Sequence, residues 1–168
     1  MKKLLTILLV LICLLGCVGC DPGTVTIDGD ELLGNTVKIE LVYYENEDPE
    51  HVRLGETDNL IFDFSKVSVI AELDDSRIDD VVEDIAAQEL LWFGRTLNEP
   101  IGKTIILYQS NGNMVVLYAC IYENERGVKK YYGQCNIYDE NGKFIDYVGD
   151  VASDYIDILE SKYFETIT

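Results

Sequence analysis

Few side chains in this sequence of 168 residues are equipped for covalent or metal chemistry; five are cysteines and one is a histidine. Cys17-Val18-Gly19-Cys20 has the spacing of a redox CxxC pair. Such a pair works after a strand, at the start of a helix, where the helix dipole lowers a thiol pKa. This one instead follows an apolar N-terminal run, so the redox reading is set aside. His51 sits in a polar loop over residues 45–56. A Ser–His–Asp or Cys–His site needs its imidazole held beside the nucleophile, and a lone His in a polar loop reads as solvent-exposed. No HExxH, P-loop or GxGxxG motif occurs. Asp28-Gly29-Asp30-Glu31 and Glu45-Asn46-Glu47-Asp48 cluster the hard oxygen ligands that Ca²⁺ prefers. Neither has the EF-hand alternation with its Gly and final Glu, so both read as solvated acidic loops. No metal, cofactor or catalytic residue is expected, and the chain reads as a non-enzyme. A hydrolase built on a carboxylate pair stays open as the alternative. Acid–base chemistry needs only two carboxyls of separated pKa, and the 31 Asp and Glu residues single out no pair.

Tyrosine offers a different kind of site. Tyr118, Tyr122, Tyr132 and Tyr138, with Gln134 and Asn136, fall on one face of the strands predicted below. Tyr presents a large rigid contact area with a polar tip, so these six residues form the candidate ligand-binding surface for an envelope protein or a carbohydrate. A covering helix or strand pair is the competing reading of the same pattern. Nucleic acid is excluded as a partner by charge. Phosphate contacts need Lys or Arg, and the chain carries 13 basic against 31 acidic residues, a net charge of −18.

The N-terminus supplies the most specific pattern. Met1-Lys2-Lys3 is a positive start, and residues 4–15 are apolar apart from Thr6. This run falls short of the roughly 20 residues a spanning helix needs and has the length of an export signal. It ends in Leu14-Leu15-Gly16-Cys17, with a second candidate cysteine at Cys20. This segment resembles the lipobox of bacterial lipoprotein signal peptides. The resemblance covers about 20 residues and implies an address, not an activity. It implies a signal peptide over 1–16 and a diacylglyceryl cysteine at Cys17 (Cys20 as the alternative) bearing palmitate-type acyl chains. The mature protein would then be anchored to the cell membrane and face away from the cytoplasm, since two chains hold stably where one does not. Loss of Lys2 and Lys3 would take the net charge from −18 to −20. Residues 17–35 are expected to be a flexible tether with a mean reach of roughly 20–25 Å, shortened by any strand near residues 24–27.

The remaining residues, 36–168, are read as one α+β domain: an N-terminal β-β-α unit, a four-strand antiparallel meander and a C-terminal helix. Strands are expected at 37–44 and 66–73, with Val37, Ile39, Leu41 and Tyr43 inward on the first. A helix from Asp74 or Asp75 to about Gln88 shows the stripe Ile78, Val81, Val82, Ile85. Residues 90–93 read as a buried strand or connector. In the meander, Asn111-Gly112 is expected to form a two-residue hairpin turn, and Glu125-Arg126-Gly127 and Glu140-Asn141-Gly142 three-residue turns. Turn geometry fixes register. It places Ile106, Tyr108, Val115, Leu117, Ala119, Ile121, Tyr131, Cys135, Ile137, Ile145 and Tyr147 on the core face. Cys120 and Cys135 fall on opposite faces, too far apart for a disulfide. The last helix is expected over 151–163, capped by Asp150, with Val151, Tyr155, Ile158 and Leu159 inward. The function expected from all this is non-catalytic binding of a partner or ligand outside the membrane. An inhibitor or immunity-type role is a further alternative.

Overall fold

The computed structural model describes residues 23–26, 29–46, 51–53, 60–92, 96–123 and 129–164. Among the described residues ten strands lie in chain order: β1 (Gly23–Thr26), β2 (Thr36–Tyr44), β3 (His51–Arg53), β4 (Val67–Glu72), β5 (Glu89–Trp92), β6 (Thr96–Asn98), β7 (Ile101–Gln109), β8 (Met114–Glu123), β9 (Lys129–Tyr138) and β10 (Phe144–Val151). The described α-helices are α1 (Ile78–Ala86) and α2 (Tyr155–Tyr163). Eight strands form one antiparallel sheet in the order β1-β5-β10-β9-β8-β7-β2-β4, and β3 pairs with β6 in a second, two-stranded sheet. The fold is α+β, but the four consecutive strands β7 to β10 are the middle of a larger sheet, not a four-strand meander. The β-β-α unit extends it on one side through β2 and β4; β5 and β1 extend it on the other.

Strand β1 lies where a strand was expected to shorten the tether. Gly23–Thr26 pair with β5, a π-helical turn follows at Gly29–Leu33, and Leu33 is buried in the core. The apolar Leu33 gains more from burial in the core than a solvated linker would give it.

Turn chemistry accounts for the second correction. Gln109 pairs with Asn113, and the Gly112 N–H donates to the Gln109 carbonyl at 3.0 Å. Only Gly112 of this turn has positive φ, at 90°. The loop is therefore three residues long, a type I turn closed by a glycine bulge. Asn111 keeps negative φ and uses its Oδ1 to accept from the Asn113 N–H at 2.9 Å. Tyr108 thus faces Met114, and Leu107 faces Val115. A slip of one residue flips a whole strand, so Ile105 and Leu107, not Ile106 and Tyr108, share a face with Val115 and Leu117. The third turn forms as expected, with Gly142 at φ 79° and Phe144 opposite Tyr138. Two register shifts in β10 then bring Gly149, not Tyr147, opposite Cys135. Tyr147 joins the other face; Ile145 and Tyr131 are exposed. The pairing of β8 with β9 matches the expectation throughout, from Met114–Tyr138 to Glu123–Lys129.

The sheet is buried on both faces. On one, Ile39, Leu41, Ile105, Leu107, Val115, Leu117 and Cys135 meet Ile78, Val81 and Ile85 of α1 and Tyr155, Ile156, Leu159 and Tyr163 of α2. Helix α1 uses its expected stripe, with Val82 half-buried. A 3-10 turn precedes it, where the Asp74 carboxylate accepts from the Ser76 N–H. Helix α2 begins four residues later than expected because Val151 completes β10 and Asp150 lies within that strand; Ile156 and not Ile158 points inward. Arg77 clasps the two helices, donating to the carbonyls of Tyr163 at 2.7 Å and Lys162 at 3.1 Å. On β2, Val37 and Tyr43 prove exposed where inward positions were expected.

Candidate functional site

The six residues singled out as a binding surface lie on β8 and β9, and the five whose side chains are described face away from the helices. The structure brings most of them together, but inside the protein. Tyr118, Gln134, Asn136 and Tyr138 are buried and Tyr132 is half-buried; the side chain of Tyr122 is outside the described residues. The cover is neither a helix nor the N-terminal strands. It is the irregular segment holding Leu60 and Phe62, together with Leu97 of β6. The Phe62 N–H donates to the Gly142 carbonyl at 2.6 Å and the Phe144 N–H to Leu60 at 3.1 Å, which fastens this segment to the last turn. The Phe62 ring lies 5.0 Å from Tyr44 and 5.6 Å from Tyr138. Aromatic packing of this kind adds to plain burial.

Burial forces the polar tips to find partners. The Tyr118 hydroxyl donates to the Asn98 carbonyl at 2.7 Å and accepts from Asn136 Nδ2 at 2.5 Å. The Asn98 N–H donates to Gln134 Oε1 at 3.0 Å, and its side-chain amide donates to the Tyr132 hydroxyl. Gln134 Nε2 reaches Asp150 Oδ1 at 3.4 Å. Asn136 Oδ1 alone is buried without a hydrogen-bond partner among the described residues of this network. Burial pushes the Tyr118 phenol well above its ordinary pKa and Tyr138 up to about 12. These groups stay neutral and present no surface to a docking partner.

Cys120 and Cys135 are free and buried on opposite faces, as their register requires. Burial raises the thiol of Cys135 to about 12 and that of Cys120 further, so neither supplies a thiolate near neutral pH. Among the carboxylates, Glu40 and Asp150 are buried. Glu40 accepts from Tyr108 at 2.7 Å and pairs with Lys38 at 2.7 Å. It sits on β2 and Asp150 on β10, four strand spacings apart, or about 19 Å. The two do not converge on one reacting atom. No group of three or more His, Cys, Asp and Glu able to hold a metal occurs among the described residues. The side chains of His51, Asp28, Asp30 and Glu31, and the lipobox with Cys17 and Cys20, lie outside them. No described helix is long and apolar enough to cross a membrane.

An open surface does exist, on the helix-covered side beyond the point where α2 ends its cover. A cleft of about 860 Å³ is lined by Tyr43 and Glu45 at the end of β2, Ile101 and Lys103 of β7, Ala119 of β8, Tyr131 of β9, and Ile156 and Asp157 of α2. The rows Ile39-Leu41-Tyr43 and Leu107-Ile105-Lys103 pass from core into cleft without changing face, because strand side chains alternate. Tyr43 is 49% exposed and Tyr131 66%. Lys103 sits 3.6 Å from Asp157 and donates to Glu160. That hydrogen bond raises its pKa, so the amine stays an ammonium ion and is no base or nucleophile. Sequence reasoning missed this cleft. Tyr131 was assigned to the core, and no local pattern shows where a helix stops covering a sheet.

No protein family, curated protein or solved structure matches the chain.

Proposed function

We propose that this chain is a lipid-anchored extracytoplasmic lipoprotein whose domain binds a partner and performs no catalysis. The observation that carries the reading is Leu14-Leu15-Gly16-Cys17 at the end of a short apolar run behind Met1-Lys2-Lys3. Cys17 is the anchoring residue, with Cys20 as the alternative. Five residues separate Cys17 from β1. Fully extended they reach about 20 Å, so the domain would ride close to the bilayer. Its net negative charge keeps it off anionic headgroups within a Debye length of about 8 Å. Binding is assigned to the open cleft, where two exposed tyrosines meet charged side chains, and no longer to the buried face of Tyr118 and Tyr138. Mass spectrometry of the N-terminus of membrane-extracted protein tests the anchor. A diacylglyceryl-modified Cys17 with residues 1–16 absent is expected. An unmodified Cys17 and Cys20 on a chain that still carries Lys2 would overturn it.

A further inference from the structure

The chemistry of the cleft narrows what can enter it. Its formal charges are Glu45, Asp157 and Lys103 on the lining, with Glu160 behind Lys103. The ammonium of Lys103 is committed to Asp157 and Glu160, whereas Glu45 pairs with no cation among the described residues. The start of α2 adds about half a positive charge, which leaves the site net negative. Exposed Tyr43 and Tyr131 offer ring faces, and a cation is attracted to the negative face of an aromatic ring. Ile101, Ala119 and Ile156 add apolar wall, which suits the aliphatic stem of a Lys or Arg side chain. A cleft of about 860 Å³ is large for one ammonium group and takes several residues of chain.

We propose that the cleft receives a basic polypeptide segment of a partner, with one Lys or Arg side chain set against Tyr43 and Glu45 and another against Tyr131, three strand spacings or about 14 Å away. This rests on the reading of the chain as a binding domain and gives that domain a ligand class. The net charge of −18 on the whole chain would draw such a partner in and speed encounter.

The test is calorimetric titration of the full chain, in neutral detergent, with the acetylated and amidated peptide Gly-Lys-Gly-Arg-Gly. The same peptide with norleucine for Lys and citrulline for Arg is the comparison, and spermidine is the small-amine control. Only the basic peptide is expected to bind. Tyr131→Ala and Glu45→Gln should each weaken it about two- to five-fold, while Asp79→Asn on the exposed side of α1 leaves it unchanged. Equal weakening by Asp79→Asn would show general attraction to an acidic surface and overturn the site. Equal binding of the neutral peptide would overturn the cationic assignment and leave a binding cleft standing. Spermidine binding with the same dependence on Tyr131 and Glu45 would overturn the polypeptide. No heat from any of the three would overturn the ligand class without touching the anchor, which the N-terminal mass decides. Both substituted side chains are exposed, so an unchanged Tm separates lost binding from lost folding.

Discussion

The two faces of the central sheet solve the same problem with different chemistry. Toward the helices, Ile39, Leu41, Ile105, Leu107, Val115 and Leu117 are aliphatic, and α1 and α2 close over them with matching stripes. Away from the helices, Tyr118, Gln134, Asn136 and Tyr138 bury hydroxyls and amides that hydrogen-bond to one another and to Asn98, Asn136 Oδ1 excepted among the described residues, and an irregular segment around Leu60 and Phe62 closes over them. Apolar packing is non-directional and tolerates small shifts. Hydrogen-bonded burial is directional, and its cost appears when a partner is lost. The first face should therefore respond to lost volume and the second to lost atoms.

Substitutions separate the two. Leu117→Ala opens a cavity in the helix-covered core and should cost about 2–5 kcal/mol in denaturant unfolding. Tyr118→Phe removes one oxygen and almost no volume. It removes the hydrogen bond to the Asn98 carbonyl and the one accepted from Asn136 Nδ2, and should cost about 1–3 kcal/mol. A cost for Tyr118→Phe below that of an ordinary surface change would show that the network contributes shape and not hydrogen bonding.

Alkaline pH sharpens the same contrast. Free thiols titrate near 9 and phenols near 10, whereas Cys135 and Tyr138 are pushed up to about 12 by burial. Between those values the folded chain holds more protons than the unfolded chain. Stability present below about pH 9 is therefore lost as pH rises toward 12. Tyr138→Phe should remove part of the loss above pH 10, and Leu117→Ala should lower the whole curve without changing its slope there. The smallest effect belongs to the cleft: Tyr43→Ala and Tyr131→Ala should each move stability by no more than about 0.5 kcal/mol, because their rings already stand in water.

Much of the fold is legible in the residues themselves. The stripe Ile78, Val81, Ile85 and the Asp74 cap place α1, and the pairing of β8 with β9 follows from one turn. Ser110-Asn111-Gly112 carries the same chemistry as Glu140-Asn141-Gly142, and the two turns fold alike. An Asn-Gly pair alone does not say whether the loop has two residues or three, and that ambiguity assigned Ile106 and Tyr108 to the wrong face. The shifts in β10 leave no local signal, because they arise where β10 must satisfy β9 and the overlying segment together. The candidate site was legible as a cluster and not as a surface. Alternation on β8 and β9 groups Tyr118, Tyr132, Gln134, Asn136 and Tyr138 correctly. What covers them is decided by Phe62, some 56 residues earlier in the chain than Tyr118, and its contact with Tyr138 is visible only in three dimensions.

Tyrosine nitration by tetranitromethane, mapped by peptide mass spectrometry on the folded chain, tests this division most directly. Tyr43 and Tyr131 should react first, and Tyr118 and Tyr138 only when the protein unfolds. Nitration of Tyr118 or Tyr138 as fast as Tyr131 would contradict the account, returning the working surface to the face that is closed here.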